Sequence, residues 1–142
     1  MSSYIKQKGS DKASYQDVIE PLAQAAATTG LWIDAGIASN FLCHVGAGLV
    51  GTSVDCKIQQ STDSSGTAKK DVSGLAITQL VATGSALINI TASDLDTDNG
   101  FTHIAMVLTT VGATTVAGAE LIAIDARYEP LAQGAEIDEV IS

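Results

Sequence analysis

The sequence predicts an all-β domain: an antiparallel β-sandwich or small barrel of about six to eight short strands, with an N-terminal arm that includes a short helix. Three observations carry that reading. Apolar residues are 46% of the chain but aromatics only 4%, the balance resting on 21 alanines, 14 threonines and 13 glycines. Small and β-branched side chains at that density suit strands and tight turns. Apolar positions recur with period 2 in several short runs, and turn-forming clusters separate those runs at intervals of about 8–15 residues. A chain of 142 residues has room for one such domain with a real core, not for two.

Composition divides the chain into residues 1–30, an arm holding Lys6, Lys8 and Lys12; residues 31–131, the β-domain; and residues 132–142, an acidic tail with Glu136, Asp138 and Glu139. In the arm, Tyr15 to Ala27 reads as a short helix, with Asp17 and Glu20 early and good helix formers at 23–27. Leu31 to Asp34 is a short strand. Phe41 to Val45 and Val54 to Gln60 read as a hairpin around the 46–51 segment; in its second strand Val54, Cys56 and Ile58 share one face and Asp55, Lys57 and Gln59 the other. Ser61 to Thr67 is a turn, because Asp and Ser bond their own backbone and Gly66 accepts positive φ. Leu75 to Val81 and Leu87 to Ile90 are further strands, followed by the acidic turn 94–100. Thr102 to Thr110 is apolar on both faces and belongs inside a sheet. Gly112 to Thr115 turns the chain, and Leu121 to Tyr128 returns it.

Seven basic against sixteen acidic groups give a net charge of −9. That excludes a protein whose work is to coat nucleic acid, which needs many Lys and Arg, and a membrane-surface module, which needs a basic face. The Met1–Tyr4 opening has no apolar run, so no secretory signal is expected. The stretch 104–124 is apolar but for Glu120; its threonines and glycines fit two strands and a turn better than a lipid-facing helix.

Candidate chemistry is sparse. Asp94, Asp96 and Asp98 alternate as in the start of a calcium loop, which makes them weak metal candidates. The pattern then fails, with Asn99 where glycine is needed and Ala105 where a glutamate should close the site. A solvated acidic turn explains the same residues. Cys43 and Cys56, the only cysteines, would face each other across the proposed hairpin and read as buried, reduced thiols. His44 follows Cys43 directly, so the two side chains leave a strand on opposite faces and do not form a catalytic pair. His103 reads as a core or interface group. Arg127, the only arginine, suits an ion pair or a subunit contact. No phosphate loop or nucleophile elbow is present, so neither an enzyme nor a cofactor is expected.

The run Val54-Asp55-Cys56-Lys57-Ile58-Gln59-Gln60-Ser61-Thr62-Asp63-Ser64-Ser65-Gly66-Thr67 resembles a strand-and-turn block of a family of small tailed-bacteriophage structural proteins. Asp71 to Leu80 resembles the strand that follows it in that family. Ala126-Arg127-Tyr128-Glu129-Pro130-Leu131 matches the closing element loosely. The likeness spans roughly residues 31–131 and is most specific in its first two blocks. Lys69-Lys70 and Thr102-His103 depart from it, standing where the family often has an aromatic and a basic-aromatic pair. The resemblance implies a virion component, assembled in the host cytoplasm. It implies a capsid decoration or cement protein whose partners are the major capsid protein and copies of itself, as a homotrimer or similar oligomer, with no nucleic acid or membrane partner. A tail or neck component, and a calcium- or carbohydrate-binding sandwich module, are the competing readings.

Overall fold

A computed structural model describes residues 9–126 and 131–141. Nine strands form two antiparallel sheets that face each other as a sandwich. They are β1 (Ala13–Ala23), β2 (Ala27–Thr29), β3 (Ile33–Asp34), β4 (Ala38–Leu49), β5 (Ser53–Ser61), β6 (Lys70–Ala76), β7 (Gly84–Thr91), β8 (His103–Val111) and β9 (Val116–Ala126). Sheet A has the order β1-β9-β4-β7; sheet B has β2-β8-β5-β6, with β3 also pairing with β8. Among the described residues the helical content is one turn at Gly9–Lys12 and short 3-10 turns. No helix among them is long and apolar enough to cross a membrane.

The core lies between the sheets. Sheet A contributes Phe41, Cys43, Val45, Leu121 and several alanines; sheet B contributes Val54, Cys56, Ile58, Ile104 and Met106, all essentially inaccessible to water. Alternation places these side chains. Along β5, Val54, Cys56 and Ile58 point inward while Asp55, Lys57 and Gln59 are part-exposed on the outer face, as the sequence pattern requires. β8 lies inside sheet B, between β5 and the short strands β2 and β3.

The structure corrects three expectations. The Tyr15–Ala27 segment is not a helix: residues 13–23 form edge strand β1, paired with β9. Its alternation (Ser14 and Ile19 inward, Tyr15 and Val18 outward) is broken by register shifts after Tyr15 and after Ile19, which hides the period from a sequence reading. Pro21 sits at the second irregularity of this edge strand, where a missing N–H costs nothing. Second, β4 and β5 do not form a hairpin. The link at 50–52 carries the chain from sheet A to sheet B, with Val50 packed against the core. It lies against the second crossing, between β8 and β9: Gly51 N donates to Thr115 Oγ1 at 2.9 Å, Thr52 N donates to Val111 O at 3.1 Å, and Thr115 is wholly buried. Third, the strand expected at 75–81 begins and ends earlier, as β6. Gly74 at φ 78° lies within a register irregularity, and beyond Ala76 the chain follows β5 through one backbone bond at Ile77 and a reciprocal pair between Leu80 and Val54.

The acidic tail folds back on β1. Ser14 Oγ and Gln16 Nε2 donate to Ala132 O at 2.7 and 3.0 Å, and Tyr15 N donates to Gln133 Oε1 at 2.8 Å. Gly134 N donates to Tyr15 O at 2.6 Å, and a side chain on Gly134 would run into the Gln16 carbonyl. Leu131 packs against the core. The strap thus covers backbone and side-chain groups that β1 would otherwise leave open at the edge of sheet A.

Candidate assembly face

The two outer faces of the sandwich differ in kind. On sheet B, β5 presents Asp55, Lys57 and Gln59, and these groups are already engaged. Lys57 Nζ pairs with Asp71 at 3.0 Å, Gln59 Nε2 donates to Asp71 Oδ1 at 2.9 Å, and Gln79 Nε2 donates to Asp55 Oδ2 at 2.9 Å. These polar groups of β5 are satisfied by one another, and Val107 of β8 lies half-buried beside Lys57 on the same face.

Sheet A is different. Its register sets one row across four strands as Tyr15, Ile122, Leu42 and Asn89, and the neighbouring row as Val18, Glu120, His44 and Leu87. Tyr15 is 39% exposed and Leu87 59%; Leu42, Ile122 and Val18 are half-buried. In the second row His44 Nδ1 lies 3.0 Å from Glu120 Oε2, so the one hydrogen-bonded polar pair of these rows is flanked by aliphatic side chains on both sides. The face results from strands that are apolar on both sides: in β4 Phe41, Cys43 and Val45 face the core while Leu42 faces out, and in β9 Leu121 and Ala123 face in while Ile122 and Ile124 face out. Strands of an antiparallel sheet with one wet side normally alternate apolar and polar.

The residues singled out from the sequence are dispersed. Asp94 Oδ2 accepts from Thr91 N at 2.8 Å and closes a 3-10 turn. Asp96 instead takes Lys70 Nζ at 2.6 Å and Asn99 Nδ2 at 2.9 Å. Asp98 stands in the following 3-10 turn, Thr97–Asn99. The first two carboxylates are therefore directed to different partners, and among the described residues no group of three or more His, Cys, Asp or Glu is placed to hold a metal. Cys43 faces the core and His44 the outside. His103 lies on the other sheet, its Nδ1 2.8 Å from Thr102 Oγ1, so the two histidines are not brought together. Arg127 lies outside the described residues. The composition of the sheet A face escaped the sequence reading, although the doubly apolar runs Phe41–Val45 and Leu121–Ile124 are the signal that marks it.

The carboxyls titrate in opposite senses. Thr67 hydrogen bonds hold Asp63 below its ordinary value of 3.8, the Gln59 and Lys57 contacts do the same for Asp71, and Lys70 and Asn99 for Asp96. Their contributions are present above pH 3.8 and fade as pH falls through the lower folded values. Asp17 is only 2% exposed, and burial pushes it up, against the Leu31 and Val18 amides that favour the charged form. Its contribution is full below 3.8 and is lost as pH rises through the raised folded value. Asp17→Asn should therefore compare better with the natural chain at pH 7 than at pH 3.5. Melting curves of both proteins across that interval check it; a constant offset between them would refute the assignment.

No family model matches the chain, and no curated protein matches it. Among solved structures, a chain of the Cowpea Mosaic Virus empty virus-like particle is similar at TM-score 0.44 and 11% identity, covering 94% of each chain. A chain of Broad Bean Stain Virus is similar at TM-score 0.44 and 9% identity, covering 99% of each. Overlap this loose transfers neither role nor residue assignments to the present chain.

Proposed function

We infer that this chain is a structural virion protein of a tailed bacteriophage, a decoration or cement subunit that binds the head shell as a homotrimer or comparable homo-oligomer. The observation that carries the reading is the apolar, charge-poor outer face of sheet A beside the internally satisfied face of sheet B. With a net charge of −9, self-association is opposed wherever carboxylates meet. Asp55, Asp63, Asp71, Asp94 and Asp96 lie on sheet B strands or on the turns; on sheet A, Glu120 is paired with His44, Asp125 near the end of β9 accepts from Asn40, and Glu20 is exposed near the end of β1, outside the two rows. A four-stranded face of this length offers roughly 700 Å², close to the ~800 Å² per partner of a stable interface. The blocks resembling the phage family support the same reading; they fall on β5 and on β6 with the segment that follows it, neighbours in sheet B. In this proposal residues 1–12 are the arm that reaches the major capsid protein, adding affinity by multivalency.

Two measurements test it. The first is the copy number of the chain in purified particles of the phage that encodes it: hundreds per particle support a shell subunit, whereas a single ring's worth favours the neck or tail. The second is native mass by light scattering. The natural chain should run as an oligomer, and Leu42→Glu combined with Ile122→Lys should reduce it to monomer with an unchanged far-ultraviolet dichroism spectrum. An unaltered mass in the double variant would remove this face from the interface. Deleting residues 1–12 should lower occupancy on shells and leave the oligomer intact.

A further inference from the structure

The edges of the two sheets are not alike. β1 carries Pro21 and two register irregularities and lies under the strap. β2 and β3 are three and two residues long. β6 starts on Lys70 and Asp71, and its Gly74 stands at φ 78° within a register irregularity. Each of these devices keeps an edge from pairing with another chain. β7 has none of them. It runs for eight residues beside β4 without a register shift, and the sequence holds no charged residue between Asp71 and Asp94.

The groups that this edge leaves open follow from one bond. Thr91 N turns away from β4 and donates to Asp94 Oδ2 at 2.8 Å. Backbone direction alternates along an antiparallel strand, so Ser85, Leu87 and Asn89 also point their N–H and C=O groups away from β4. Among the described residues, β4 is the only strand that pairs with β7, and no other backbone bond reaches residues 84–90. A two-fold axis beside Leu87 uses every one of these groups. With Leu87 opposite Leu87 of a second copy, Ser85 stands opposite Asn89 of the second copy, each pair exchanging both of its N–H···O=C bonds. Between them the buried Ile88 falls opposite the smaller Ala86. Copies with a net charge of −9 repel wherever acidic groups meet, and this edge brings none together.

We propose that β7 pairs antiparallel with β7 of a second copy across this axis, joining the four strands of each sheet A into one continuous sheet. The inference rests on the self-association proposed above and adds its symmetry, since a two-fold contact is made by the same patch on both copies. An edge of eight residues falls well short of the ~800 Å² per partner of a stable interface. It therefore does not found an assembly. It couples, two by two, oligomers that the sheet A face has already built, where several edges act together.

The test is native mass by light scattering on the full chain and on two variants at exposed positions, with far-ultraviolet dichroism to confirm that each is folded. The natural chain should contain an even number of copies. Ser85→Lys with Asn89→Lys sets like charges directly opposite each other across the axis. It should halve the mass, although it lowers the overall repulsion between copies. Ser85→Lys with Asn89→Glu sets opposite charges at the same places and should keep the natural mass. An odd number of copies in the natural chain, an unaltered mass in the first variant, or the same loss in both variants would each overturn the strand pairing while leaving the sheet A face in place. A monomeric natural chain would overturn the face and the edge together.

Discussion

Gly30→Ala is expected to cost about 3 kcal/mol or more, lowering the melting temperature by about 10 °C. Gly30 follows β2 and donates its N–H to Met106 O at 2.9 Å, which fixes its backbone against β8. A Cβ at this position would collide with Oδ2 of Asp17. A surface carboxylate would swing away at little cost. Asp17 cannot, because it is buried and Oδ2 accepts the Leu31 N–H at 2.9 Å. Moving it breaks that bond and leaves both a buried carboxylate and a backbone donor poorly satisfied. The mechanism makes a sharper claim than a loss of stability. In an Asp17→Ala background Gly30→Ala should cost little, so the double variant should be only slightly less stable than Asp17→Ala alone. Denaturant midpoints of the four proteins give the coupling directly. Additive losses would show that the glycine is required for some other reason.

Gly66→Ala is the second large effect, at about 2–3 kcal/mol. Gly66 holds φ at 80°, in the left-handed region. A Cβ there would stand 2.6 Å from Nε1 and 2.9 Å from Cε2 of Trp32. The turn cannot yield easily, since Asp63 Oδ1 accepts from Ser65 N and Thr67 N at 2.9 and 3.1 Å and Oδ2 accepts from Thr67 Oγ1 at 2.6 Å. The indole must move instead. Trp32 is the only tryptophan in the chain, so emission excited selectively at the indole, apart from the tyrosines, reports on the surroundings of this residue. The variant should show a shifted emission maximum in the folded state as well as a lower melting temperature. Unchanged emission would place the strain elsewhere.

The fold class was legible because it is written in local signals. The alternation in Val54–Gln60, the doubly apolar run at 102–110 and the Asp63–Gly66 turn each act over a few residues, and each appears where those residues dictate. What could not be read is what depends on residues far apart. Nothing local to Leu49–Thr52 says whether the chain reverses within a sheet or crosses to the other. That choice is made by Thr115 and Val111, which supply the partners for Gly51 and Thr52. Strand β1 was masked by its own irregularities, with Gln16 interrupting the period after Tyr15 and Pro21 suggesting an interrupted helix. The Asp94–Asp98 motif shows the converse: carboxylates alternating in sequence like metal ligands are drawn apart by Thr91 and Lys70. The assembly face fell between these cases. Its residues are visible in the sequence, but which of two apolar sides faces the core depends on pairing that only the whole sheet defines.

Sheet A also sets an order of events during synthesis. Its inner strand β9 lies between β1 and β4, so the first long strand to leave the ribosome and the fourth are joined only by the last. Until residue 126 has emerged, β1 lacks its partner in sheet A and β4 can pair only with β7. Sheet B needs nothing beyond Val111. Nascent chains therefore carry one sheet that can close early and one that must wait for translation to finish. During that interval the strand edges of sheet A are open to whatever else the cell offers, and a pause in the β9 codons would prolong it.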